Sequence, residues 1–167
     1  MGLGQIPDDI QKIDRDDALI TWLDTTPTSS SPTWKLLGIG ITEYAIAYNA
    51  QVDTEKWIVE KNSRTDHSSN QKQGDVTQKM YKNDPCYEFV KDGRDKLNYK
   101  THILDVDGAY GTNSSYPAKM SDGIIVISSY GGENAEIEYE LHYDGDPIEG
   151  TVTITGGVPT FTPSASL

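Results

Sequence analysis

A single cysteine, Cys86, in 167 residues leaves no partner for an intrachain disulfide, and nothing marks an oxidising compartment. Its neighbours Tyr87, Phe89 and Val90 point to a packed thiol. Lysine and arginine are absent from the chain after residue 119. Lys119 is the final basic residue, and Asp122, Glu133, Glu136, Glu138, Glu140, Asp144, Asp146 and Glu149 follow it. With a formal net charge of -12, the chain is poorly suited to docking nucleic acid, which depends on neutralising phosphates with Lys and Arg. No segment approaches the length of a membrane span, and polar residues 1–17 lack a signal-peptide core, so the expectation is a protein of the cytoplasm or of something assembled there, with no membrane contact.

Recognisable catalytic patterns are also missing. His67 and His142 lie far apart, and no serine sits in a Gly-x-Ser-x-Gly context. One cysteine and scattered histidines make no zinc pattern. Gly38-Ile39-Gly40 is too short for a phosphate loop, and Asp105-Val106-Asp107-Gly108 lacks the later ligands of a calcium loop, so a turn closing a strand explains Asp107-Gly108 better. The expectation is a non-enzyme with no catalytic residue, metal or cofactor.

What the sequence does have is β patterning. In Ala135-Glu136-Ile137-Glu138-Tyr139-Glu140-Leu141-His142-Tyr143 one face is apolar or aromatic and the other carries three glutamates. Asp144-Gly145-Asp146-Pro147 reads as a turn, and Thr151-Val152-Thr153-Ile154-Thr155 as the return strand of a hairpin. Like charges along one strand face cost stability, and tolerating that cost implies a use for the negative surface. The basic residues cluster mid-chain, from Lys56 to Lys100, so copies could associate head to tail.

The length suits one domain, residues 1–167, opened by a loosely held acidic segment 1–17. Residues 18–23 read as a first strand, 25–33 as a loop, and 42–58 as one long strand with Tyr44, Ile46, Tyr48, Ala50 and Val52 on one face. Residues 62–74 hold almost no apolar side chain and read as a polar arm, mobile or ordered against a partner. Asp84 as N-cap and Pro85 at the first helical position mark the one convincing helix, with Cys86, Val90 and Leu97 on a shared face. Strands follow at 99–106 and 124–130, with Gly108, Gly111, Gly123, Gly131, Gly132, Gly145 and Gly150 at turn-like positions. The class is mainly β: a β-sandwich or partial barrel flanked by one α-helix.

Carboxylate pairs deserve a separate test, because two acids across a cleft could serve a glycosidase. Glu136, Glu138 and Glu140 alternate on one strand face, which is the pattern of a solvated stripe. Tyr44, Tyr48, Trp57, Tyr87, Phe89, Tyr139 and Tyr143 would allow a carbohydrate-binding face, but most alternate with polar residues inside strands and read as core.

Several pieces taken in order carry a resemblance: Glu55-Lys56-Trp57-Ile58, the polar arm, the run Met80 to Val90 around Asn83-Asp84-Pro85, Tyr116-Pro117-Ala118, Gly145-Asp146-Pro147 with Gly150-Thr151, and the ending Val158-Pro159-Thr160-Phe161-Thr162-Pro163. From about Thr42 onward the chain resembles the major tail protein, or tail tube protein, of long non-contractile-tailed phages of Gram-positive hosts. The resemblance implies a self-assembling structural protein of the virion tail, built in the host cytoplasm as homohexameric rings that stack into a tube. DNA passes through such a tube at ejection without specific binding, and tape-measure and tail-terminator proteins are candidate partners.

Under that resemblance Glu136, Glu138 and Glu140 are candidates to line the lumen, since a conduit for a polyanion should repel its cargo. Arg64 and Lys72 in the polar arm are candidates for contact with the neighbouring ring. A secretion-system tube protein of the same fold, or a carbohydrate-binding β-sandwich module, would share much of the pattern.

Overall fold

Ile125, Ile137, Tyr139 and Leu141 each alternate with more exposed neighbours, and this period of two builds most of the molecule. The computed structural model describes residues 8–165. A helical turn α1 (Arg15–Ala18) leads into β1 (Ile20–Asp24) and β2 (Trp34–Leu37), followed by β3 (Ile46–Ala47), β4 (Gln51–Glu55), β5 (Arg64–Ser69) and β6 (Gln73–Lys79). Helix α2 (Pro85–Asp92) precedes β7 (Tyr99–Val106), β8 (Ser115–Gly131), β9 (Glu136–Thr155) and β10 (Val158–Pro163). The fold is mainly β, as the patterning predicts.

All strands except β4 and β5 form one 8-stranded sheet in the order β2-β1-β7-β8-β9-β6-β3, with β10 added to the far half of β9. Every pairing in it is antiparallel. The chain after β2 comes back to β6 through an Ile41–Gln78 bridge, with Lys79 N–H donating to the Gly40 carbonyl at 2.9 Å. The sheet thereby curls into a partial barrel around Leu23, Val76, Ile103, Ile125, Ile137, Tyr139 and Leu141. Helix α2 packs on this cluster through Cys86, Tyr87 and Val90.

The helix starts where the sequence places it, with the Asp84 carboxylate accepting from the Cys86 N–H and Pro85 at the first position. Leu97 does not share its buried face. It lies beyond the helix end and is exposed. Cys86 is fully buried, and burial pushes its thiol up to about 12.

Neighbouring residues on one strand serve opposite faces, so Leu23 and Ile103 join the barrel cluster while Trp22 and Leu104 join a second one. The second cluster adds Trp34, Val106, Ala118 and Val152, with Phe161 of β10 packed against them. Each fully buried aliphatic side chain in either cluster contributes roughly 1.5–3 kcal/mol of transfer free energy.

Two expectations from the sequence change. Asp144-Gly145-Asp146-Pro147 is no hairpin turn: β9 runs on through it for 20 residues beside β8. Opposite the single residue Ser121, between the Met120–Ile148 and Asp122–Asp144 pairs, the three residues 145–147 bulge outward. Proline is tolerated there because β6 stops at His142 and β10 begins only at Gly150. The real return strand is β10, joined through Gly156 and Gly157, whose φ values of 59° and 77° suit a two-residue hairpin. Gly123 and Gly150 likewise sit within strands; a side chain at Gly150 would meet the Thr162 carbonyl and the Phe161 ring.

The long strand expected over 42–58 is broken. Asn49 takes a left-handed φ of 46°, which turns the chain out of the sheet between β3 and β4. Of the expected loose segment 1–17, residues 1–7 lie outside the described residues, and α1 takes up the end.

Candidate assembly surfaces

Ile137, Tyr139 and Leu141 point into the barrel, so Glu136, Glu138 and Glu140 lie on the opposite face of β9. Helix α2 packs on the barrel side and not on this face. Glu138 is exposed and the other two are half-buried. Cross-strand pairing widens the stripe to neighbouring strands: Glu140 is opposite Asp75 of β6, and further along Asp144 is opposite Asp122 of β8. Like charges directly opposed in a sheet are destabilising.

A few lysine and histidine side chains sit among these acids. Lys79 is opposite Glu136, and the His142 and Glu140 side chains meet at 2.8 Å. His102 lies between two acids, with Nδ1 2.8 Å from the buried Asp24 and Nε2 3.4 Å from Asp122. The sequence shows the three glutamates; it does not show that β6 and β8 bring further acids beside them.

The second surface is the arm. Strands β4 and β5 pair only with each other and form a separate two-stranded sheet in which every residue is exposed. The arm is therefore an ordered hairpin, longer than the polar segment 62–74 and including residues the sequence assigned to a strand of the body. Arg64 is held within it: its guanidinium bonds Glu60 through two nitrogens, at 2.8 and 2.6 Å, and lies 4.0 Å from the centre of the Trp57 ring. The turn that this clamp closes presents Trp57, Ile58 and Val59, which are 51%, 104% and 89% exposed.

Lys72 sits at the root of the arm. Its ammonium lies over the rings of Tyr48 and Tyr143, at 5.7 and 5.0 Å from their centres. Beneath it, Tyr143 donates to Asp105 at 2.8 Å, Thr21 donates to the other oxygen of the same carboxylate at 2.8 Å, and the Tyr44 and Tyr143 hydroxyls meet at 3.1 Å. Desolvation raises the Asp105 carboxyl above the ordinary range, and the bonds from Thr21 and Tyr143 and the charge of Lys72 only partly offset it. Asp105 is a residue of β7, and beyond the strand's end Asp107-Gly108 leads into a 3-10 turn, Gly108–Tyr110.

A second buried network joins β6, β9 and α2. Gln78 is fully buried, donates to the Ile39 carbonyl at 2.8 Å and to Asp84 at 3.0 Å, and accepts from Tyr139 at 3.1 Å. Sequence alternation places Gln78 between two exposed positions but carries no sign of its three partners. Of the expected core aromatics, Tyr87 and Tyr139 are buried and Tyr44, Phe89 and Tyr143 pack at the core's edge, whereas Tyr48 and Trp57 are exposed on the arm.

Among the described residues no group of three or more His, Cys, Asp or Glu side chains could hold a metal ion, and no helix is long and apolar enough to cross a membrane. No protein-family model matches the chain, and no curated protein matches it. Among solved structures it is similar to a chain of the anti-feeding prophage baseplate, determined by cryo-electron microscopy with 6-fold symmetry imposed. The identity is 8%, the match covers 84% of this chain and 97% of that one, and the TM-score is 0.49. A likeness of that degree carries no argument about what this chain does.

Proposed function

We propose that this chain is a non-catalytic structural subunit that assembles into stacked homohexameric rings, forming a tail tube through which DNA passes at ejection. The acidic sheet face is the observation that supports this reading most. Asp75 opposes Glu140 and Asp122 opposes Asp144, on the face that α2 does not pack against. A monomer gains nothing from that repulsion, whereas a conduit for a polyanion gains a wall to which its cargo does not adhere.

In this reading Glu136, Glu138 and Glu140 line the lumen, α2 lies away from it, and the outer edges of β2 and β10 pair with neighbouring copies as the ring closes. Open strand edges are otherwise an aggregation liability. The arm reaches the adjacent ring, with Arg64 and Lys72 fixing its tip and root. Tape-measure and tail-terminator proteins would then meet the assembled tube, and the particle would be put together in the host cytoplasm.

Negative-stain electron microscopy of the concentrated protein, beside its sedimentation profile, tests assembly directly. Rings or tubes with a central channel are expected. The lumen assignment is tested separately by changing Glu136, Glu138 and Glu140 together to lysine, which should leave tubes intact while DNA ejection fails. Normal ejection by such particles would remove these residues from the lumen.

A further inference from the structure

Trp57, Ile58 and Val59 form an apolar prong at the end of an otherwise polar hairpin, and none of them is docked on the body of its own molecule. Three consecutive exposed side chains of this size are costly to display in water. The prong is also built in advance. Arg64 stacks on Trp57 and bonds Glu60, and the Glu60 N–H donates to the Trp57 carbonyl at 3.0 Å, so little freedom is left to lose on docking.

The same chain carries a groove of suitable size. Between β2 and β10 a groove of about 520 Å³ is lined by Trp34, Met120, Val158, Pro159 and Phe161, with His102 at one side. Its volume lies within the roughly 300–1,000 Å³ of pockets that take a bound group. The charges agree as well. The tip carries Glu55 and Glu60 against Lys56, Lys61 and Arg64, with Glu60 paired to Arg64, so it is net positive on a strongly acidic chain, while exposed Asp122 contacts His102 at the groove.

We propose that the prong Trp57-Ile58-Val59 inserts into the β2–β10 groove of another copy of this chain. This names the contact through which the arm would act and therefore rests on the assembly reading above. It shifts the arm's binding element from Arg64 and Lys72 to the apolar tip that Arg64 holds in shape.

Disulfide capture tests it, because the native Cys86 is fully buried and does not compete. An Ile58→Cys copy is mixed under mild oxidation with a size-tagged Val158→Cys copy at the groove rim. A size-tagged Val126→Cys copy on the acidic face serves as the control. The mixed product is expected at the rim in preference to the control site, and adding Val59→Asp to the prong should reduce it by at least about tenfold, as the loss of an anchoring side chain would.

Rings seen by microscopy with no rim product would overturn the inference while leaving the tube reading intact. Rim product from a protein that forms no rings would uphold the docking and remove the tube. Absence of rim product together with prong-dependent sedimentation on phosphatidylcholine–phosphatidylglycerol vesicles would also overturn it, making the prong a lipid anchor instead.

Discussion

Strands β9 and β5 are both antiparallel and both carry alternating charge, yet they are held in place by different physics. In β9, Ile137, Tyr139 and Leu141 are essentially inaccessible to water, so burial fixes which face is which. In β5 every residue is exposed, and the strand is held by its ladder to β4 and the Arg64 clamp. An isolated two-stranded hairpin is marginal in water. The body is therefore held by burial, while the arm draws little stability from it.

That contrast can be broken most forcefully in the core. Leu141→Ala should lower the unfolding free energy by about 2–5 kcal/mol in urea titration, because a fully buried side chain leaves a cavity. Val52→Ala in the arm should stay within about 0.5 kcal/mol. Equal costs at the two sites would mean that the arm shares the body's cooperative unit. A smaller effect is expected from Tyr139→Phe, which strands the buried Gln78 carbonyl oxygen and should cost about 1–3 kcal/mol in the same assay.

The junction between the two regions responds to pH. Burial raises the Asp105 carboxyl, so the folded chain holds that proton to higher pH than the unfolded chain does. Its contribution favours folding below the ordinary carboxylate range and is lost as pH rises through the folded value. Asp105→Asn does not titrate. The stability difference between wild type and this variant should therefore move toward wild type on acidification from about pH 7 to about pH 4.5, and a difference flat with pH would refute the burial argument. The slightest global effect belongs to Arg64→Ala, which should leave the urea midpoint unchanged while speeding amide exchange at residues 57–64.

Where one stretch of chain decides its own structure, the sequence is readable. Asp84-Pro85 marks a helix start because capping is settled within three residues, and the alternation of 136–143 marks a half-buried strand because each side chain has only two faces to choose from. Where a distant strand decides, the reading fails. Asp144 to Pro147 has every local mark of a turn and becomes a bulge because β8 continues beside it and neither β6 nor β10 needs its N–H groups. The arm was legible as polar, but of its apolar prong Trp57 and Ile58 fell at the end of the strand expected over 42–58 and Val59 in no expected element, and Asn49 gives no local sign that the chain leaves the sheet there.

The length of β9 has a mechanical meaning. Its first half closes one hydrophobic cluster and its second half closes the other, with β8 bonded to it at both ends. The two clusters are therefore joined through one strand pair. Load applied at one end of the molecule is carried to the other through two continuous backbones, which makes the body behave as a short stiff beam whose compliance is concentrated in the hairpin that projects from it.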